Sequence, residues 1–126
     1  MIRVLQRSHF IFYVRDQAAS RAFYRRVLDA EPTLDVPGMT EFALGDGGVL
    51  GLMPERGITN LLGVDPTRGG GAPRAELYLV VDDAAAWLER ALAAGAREIS
   101  ALAPRDWGAN VAYVFDPDGH VLAFAR

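Results

Sequence analysis

Hydrophobic and polar positions change period several times along the chain, and each change marks an element. His9 to Val14 is an unbroken apolar-aromatic run of strand composition, closed by Asp16, which can cap a following helix. Gln17 to Leu28 then repeats apolar residues at helical spacing, with Ala19, Ala22, Phe23 and Val27 as the expected buried stripe and Arg25-Arg26 on a solvated face. Pro32 and Pro37-Gly38 punctuate the next stretch. Met39–Leu44 and Val49–Met53 read as two strands joined through Gly45-Asp46-Gly47-Gly48, since Asp-Gly between apolar runs supplies the positive φ of a hairpin turn. The segment 54–73 has no sustained period and reads as a long connection with a helical turn around Ile58–Leu62. The same order then returns. Glu76–Val81 is a strand, Asp82-Asp83 can cap a helix over Ala84–Ala94 with Leu88, Ala91 and Leu92 inward, and Gly95 ends it. Glu98–Leu102, Val111–Phe115 and Val121–Phe124 are the remaining strands, the last two flanking the turn Asp116-Pro117-Asp118-Gly119.

The recurrence is an internal repeat. His9–Asp16 (HFIFYVRD) corresponds to Glu76–Asp83 (ELYLVVDD), and Asp46–Leu52 (DGGVLGL) to Asp118–Phe124 (DGHVLAF). Each half therefore carries one strand, one helix and three strands. The second copy has a longer loop around Ala103–Asn110. One half alone cannot cover both its helix stripe and the open face of its sheet; two halves can share a core or enclose a concave surface, and function is expected on that surface.

Composition narrows the possibilities. At 126 residues, 51% hydrophobic and 23% charged, the chain is one globular domain with enough apolar residues for a core. A formal net charge of −3 with scattered arginines argues against a nucleic-acid partner. With no cysteine, disulfides, thiolate metal sites and cysteine nucleophiles are excluded. No apolar window suits a signal peptide or membrane span, so no membrane partner is expected and a cytoplasmic location is the default. No phosphate-binding glycine loop or nucleophile elbow is present: Gly69-Gly70-Gly71 leads into Ala-Pro with no lysine or helix start, and Ser20 reads as a small residue on a helix surface.

Two segments resemble the vicinal-oxygen-chelate superfamily of glyoxalases, extradiol dioxygenases and fosfomycin- and bleomycin-resistance proteins. His9–Tyr24 (HFIFYVRDQAASRAFY) is similar to that family's opening strand and helix, and Tyr113–Phe124 (YVFDPDGHVLAF) to its closing hairpin. The resemblance implies an α+β fold of two tandem βαβββ modules, about 7–54 and 75–126 with a connection at 55–74, forming a curved, cup-like eight-stranded mixed sheet, and a homodimer. It further implies metal-ligand positions at His9, Gly51, Glu76 and Ala123. Gly51 and Ala123 offer no donor, whereas a substrate-polarising metal needs about three protein ligands. His120 lies an odd number of positions from Ala123 in a period-two strand, hence on the other face.

The candidate residues each have a plainer explanation beside the functional one. His9 is a polar contact of the concavity or a strand-start histidine held by a neighbour. Glu76 is a cavity carboxylate or the partner of Arg74 or Arg105. Trp107, in Arg105-Asp106-Trp107-Gly108, is a stacking wall or a plug at the barrel end. Tyr78 and Tyr113 offer hydroxyls to the cavity or pack in their strands, and Met39 and Met53 line it or belong to the core. The reading these support is a small-molecule-binding protein without catalytic assignment and with no required cofactor, its ligand held by His9, Glu76, Trp107, Arg105, Tyr78 and Tyr113. A divalent-metal lyase, isomerase or dioxygenase using His9 and Glu76 is the alternative, and a degenerate copy serving only protein association is the third.

Overall fold

A computed structural model describes residues 5–63, 65–66, 73 and 75–126. The elements are β1 (Ser8–Val14), α1 (Gln17–Leu28), β2 (Leu34–Val36), β3 (Met39–Ala43), β4 (Gly48–Pro54), α2 (Glu55–Leu62), β5 (Glu76–Val80), α3 (Ala84–Ala93), β6 (Arg97–Pro104), β7 (Asn110–Phe115) and β8 (Val121–Ala125). They form two four-stranded mixed sheets of the same topology, β1-β4-β3-β2 and β5-β8-β7-β6. In each, the first strand runs parallel to the last and the other pairings are antiparallel. Neither sheet closes on itself, consistent with a cup-like arrangement of α+β halves. No helix among the described residues is long and apolar enough to cross a membrane.

Local chemistry sets the helix ends. Asp16, in extended backbone, accepts a hydrogen bond from the Ala19 amide, and Asp83 does the same for Ala86, so both helices start where an aspartate satisfies a free N–H. The turn 116–119 and Gly95 also sit where the sequence places them. The sequence expectation missed two elements. Leu34–Val36 pairs antiparallel with β3 despite its brevity, and the helical turn in the connection is a full helix, α2, packed on β4 and β1. Residues 67–72, the glycine-rich part of the connection, lie outside the described residues.

The helix-facing sides of both sheets share one core. Val14, Phe42, Leu50 and Leu52 from the first sheet meet Leu77, Val114, Leu122 and Phe124 from the second, with α1 and α3 between and in contact. The α1 stripe differs from the expected one: Ser20, Phe23, Tyr24 and Val27 are buried, whereas Ala19 and Ala22 are exposed. In α3, Ala84 and Ala91 are buried and Leu92 is exposed. Arg90 of α3 donates to the Val27 carbonyl at 3.2 Å, tying the end of α1 to the second half.

Ser20 is buried for a reason that periodicity does not contain. The β7–β8 turn docks on the start of α1, and each of its two aspartates takes at least one donor from the first half. Asp118 accepts from the Arg15 amide (3.0 Å), Arg15 Nε (2.9 Å) and Ser20 Oγ (3.2 Å). Asp116 accepts from the Tyr24 hydroxyl at 2.6 Å, from His120 Nδ1 at 2.9 Å and from the amides of Asp118 and His120. The His120 ring stacks on Phe12, with centroids 4.2 Å apart. Burial opposes the charge on Asp116, but His120 and Tyr24 outweigh it and hold its carboxyl below its ordinary value. Burial and the Asp116 charge push the Tyr24 hydroxyl well above its own, so it stays a donor.

These facts fix a stability prediction. Tyr24→Phe removes one hydrogen bond to a buried carboxylate and should cost about 2 kcal/mol in urea denaturation near neutral pH. Because the folded-state value of Asp116 is depressed, its contribution is complete above the unfolded value of about 3.9 and is lost as pH falls through the folded value. The gap between wild type and Tyr24→Phe should therefore narrow in acid. A gap that is constant with pH would show that Tyr24 acts through packing alone.

Candidate functional site

With the helix sides consumed by the core, the opposite faces of the two sheets carry the candidate chemistry. On the second sheet the register places Tyr78, Ala123 and Tyr113 side by side across β5, β8 and β7. Their chain neighbours Leu77, Leu122 and Val114 point into the main core, so these three lie on the other face. Trp107, in the β6–β7 hairpin, donates its indole N–H to the Tyr78 hydroxyl at 3.2 Å. Arg105 holds its guanidinium 5.3 Å from the Tyr113 ring centre. Loss of solvent and then the nearby Glu76 charge raise the Tyr113 hydroxyl above its ordinary value, with Arg105 opposing. Five of the six expected ligand residues thus gather on one face: Glu76, Tyr78, Arg105, Trp107 and Tyr113.

Their plainer readings fare unequally. Arg105 does not neutralise Glu76; it spends its guanidinium on the carbonyls of Val111 (2.7 Å) and Ala101 (2.9 Å) and on Ser100 Oγ (3.0 Å). It is the brace of the hairpin that presents Trp107. Arg74, the other partner considered for Glu76, lies outside the described residues. Trp107 is 57% exposed, so it is no plug. Ala123 is fully buried in a small cluster with Val111 and Ala125, with the half-buried Tyr113 packed against it.

His9 is the sixth residue, and it belongs to the other sheet. It shares the open face of β1 with Ile11 and Tyr13, and its Nδ1 lies 3.5 Å from Glu41 Oε2 on β3. Sequence reasoning passed over Glu41, although its place in an alternating strand, Met39-Thr40-Glu41-Phe42, puts it opposite the buried Thr40 and Phe42. Gly51 sits between them on β4, paired with Ile11 on one side and Glu41 on the other. A Cβ at Gly51 would come within 3.1 Å of Ile11 Cγ1 and 3.3 Å of Met39 Sδ. Of the two methionines considered, Met39 therefore closes over this glycine, and Met53 stands half-buried near the end of β4.

The residues present do not fit a metal centre. Gly51 and Ala123 supply no donor, and His9 and Glu76 stand in different sheets with no contact between them. Among the described residues the one three-donor cluster is Asp116, Asp118 and His120, whose ligating atoms lie within 4.8 Å of one another. Both oxygens of each aspartate already accept hydrogen bonds, and His120 Nδ1 is committed to Asp116. His120 also faces the core through Phe12, away from the face of Ala123.

Comparison with known proteins speaks to the fold and the family. A relative in Mycobacterium bovis, named only as an uncharacterized protein, is 34% identical over 114 residues, covering 85% of this chain and 74% of its own. Another uncharacterized protein, from Mycobacterium tuberculosis, is 34% identical over the same length, and the chain spans 66% of it, just under two thirds. The crystal structure of a glyoxalase-related enzyme from Fulvimarina pelagi superposes with a TM-score of 0.82 at 24% identity, covering 97% of this chain and 88% of that one, a likeness of fold. The family model for the Glyoxalase/Bleomycin resistance protein/Dioxygenase superfamily matches residues 6–124. Two sheets of identical βαβββ topology, joined through the aspartate turn at the end of the second, place this chain in the Glyoxalase/Bleomycin resistance protein/Dioxygenase superfamily.

Proposed function

We propose that this protein binds a small organic molecule, without a metal, on the open face of its second sheet. The observation that carries the reading is the Tyr78–Trp107–Tyr113 group, an exposed aromatic cluster whose polar atoms are already oriented. Trp107 is fixed by its hydrogen bond to Tyr78, and the loop that bears it is braced by Arg105. Aromatic rings held this way present flat apolar area at little entropic cost, with hydroxyls and the Glu76 carboxylate at the margin to orient a ligand. Glu76 gives that margin a negative charge, and Arg105 is turned to its own loop. The chemistry suits a planar, apolar molecule carrying a hydrogen-bond donor or a positive group. The large apolar side chains left in solvent, among them Val80 (77% exposed) and Ile11 (42% exposed), together with the free edges of β1 and β5, support association with a second copy in the cytoplasm.

Three outcomes are expected. In a screen of planar aromatic compounds read by tryptophan fluorescence, binders should be found, and Trp107→Ala should weaken them about ten-fold, the loss of roughly 1.4 kcal/mol of stacking. Unchanged affinity would remove Trp107 from the site. Elemental analysis of untagged protein should find no stoichiometric metal, and titration with Mn²⁺, Ni²⁺, Zn²⁺ or Fe²⁺ should leave the melting temperature unmoved. A near-stoichiometric ion lost in His9→Ala would instead favour a metal-dependent enzyme. Light scattering at micromolar concentration should return the mass of a dimer; a monomeric mass would argue against self-association.

A further inference from the structure

At the start of α1 the chain closes around a hollow that the aromatic face does not use. The β1–α1 junction, the first turns of α1, the β2–β3 hairpin and the β4–α2 junction bound an open cavity of about 540 Å³. Three arginines line it, Arg15, Arg21 and Arg56, against two aspartates, in a chain whose formal net charge is −3. Both carboxylates are already engaged: Asp16 accepts from the Ala19 amide, and Asp35 from Arg21 and Thr40. Glu55 acts on Arg15 only from a distance, without an ion pair. The guanidiniums keep donors to spare. Arg15 gives Nε to Asp118 and Nη2 to the Pro117 carbonyl, which fixes the group and leaves Nη1 over. Arg21 gives only Nη1, to Asp35 at 3.2 Å. Arg56 is exposed and has no partner among the described residues. Val36, Pro37 and Pro54 supply an apolar wall, and polar bonds set that wall in place. All three β2 residues are exposed, so the hairpin has little apolar reason to lie against the helix. Gln17 holds it there, donating to the Val36 carbonyl at 2.8 Å and to Thr40 Oγ1 at 2.9 Å and accepting from the Gly38 amide at 3.0 Å.

We propose that this cavity is a binding site for a small organic phosphate. A phosphate monoester carries close to two negative charges near neutral pH and three terminal oxygens that accept hydrogen bonds. Guanidinium N–H groups match such oxygens in geometry, and a charge-assisted contact of this kind is about twice as strong as a neutral one. The unspent donors of Arg15, Arg21 and Arg56 meet the head group. The volume exceeds what a bare phosphate fills, so the organic part lies along Val36, Pro37 and Pro54, as in other clefts where a few polar groups orient an apolar body. A carboxylate has one charge and two oxygens, which leaves one of the three arginines without a partner. Arg15 and the hairpin are held by their own hydrogen bonds before any ligand arrives, so their ordering costs little; Arg56 is the group that orders on binding. Tyr78, Trp107 and Tyr113 take no part in this lining, so the two sites share no contact.

Titration of the ¹⁵N-labelled full chain with phenyl phosphate tests this. The amide signals of Gln17, Arg21, Val36 and Arg56 should move saturably, while those of Tyr78 and Tyr113 stay in place. Arg56→Ala should weaken binding roughly ten-fold, the loss of one charge-assisted contact. Arg26→Ala, which removes an exposed arginine of α1 outside the lining, should leave the affinity unchanged. Benzoate should bind roughly ten-fold more weakly than phenyl phosphate, through its smaller charge, and inorganic phosphate more weakly too, through its missing apolar body. The absence of a saturable shift, or wild-type affinity in Arg56→Ala, would overturn the site. An equal loss in Arg26→Ala would overturn it as well, by showing only a general attraction to basic surface. Benzoate binding as tightly as phenyl phosphate would overturn the choice of phosphate. The same spectra show whether each variant is folded.

Discussion

Two carboxylates in the β7–β8 turn must find donors once they are covered, and the rest of the architecture follows from where those donors are. A buried, unpaired carboxylate costs several kcal/mol, so Asp116 and Asp118 can be tolerated only where Arg15, Ser20 and Tyr24 meet them. All three belong to the first half of the chain. The turn therefore does more than reverse a hairpin: it registers β8 against α1 and aligns the two halves along a single core. Hydrophobic contact between Phe23, Val27, Leu122 and Phe124 supplies most of the driving force, but such contact is tolerant of sliding. Directional bonds to Asp116 and Asp118 are not. The fold is held by apolar area and specified by this turn.

That arrangement leaves the functional surface free. Alternation in a strand assigns one set of residues to the core and the other to the open face, so the two can change independently. On the core side both sheets carry the same kinds of residue, Leu50 and Leu52 in one matching Leu122 and Phe124 in the other. On the open side they differ. The first has an imidazole beside a carboxylate; the second has a tyrosine and a tryptophan joined by a hydrogen bond, with a second tyrosine nearby. Repetition of the fold has not meant repetition of the chemistry.

How much of this was legible in the sequence depended on whether a signal was local. Helix starts at Asp16 and Asp83, the turn at 116–119 and most of the strands are written in neighbouring residues, and the repeat gave the two-module topology. Ser20 was misread because its burial comes from Asp118, ninety-eight positions away in sequence, and no helical period encodes a hydrogen bond to a distant turn. The same mechanism displaced the α1 stripe from Ala19 and Ala22 toward Ser20 and Tyr24. β2 was missed because three residues between two prolines give too short an alternation to register. At the site, Tyr78 and Tyr113 were named from composition, but their adjacency needed the register of β8 between them. Glu41 was passed over because its contact with His9 joins two strands that are distant in sequence.

Glycine and alanine at the two empty positions explain why neither half could be read by analogy. At Gly51 the space a side chain would need is taken by Ile11 and Met39. At Ala123 the small methyl is buried in a cluster with Val111 and Ala125 that Tyr113 packs against. A larger, donor-bearing side chain would meet Ile11 and Met39 at the first position and a closed apolar cluster at the second. In one sheet the position is closed by an aliphatic side chain and a thioether, and in the other by a small apolar cluster with a tyrosine against it, so neither presents a donor and the two surfaces differ through the side chains standing nearby.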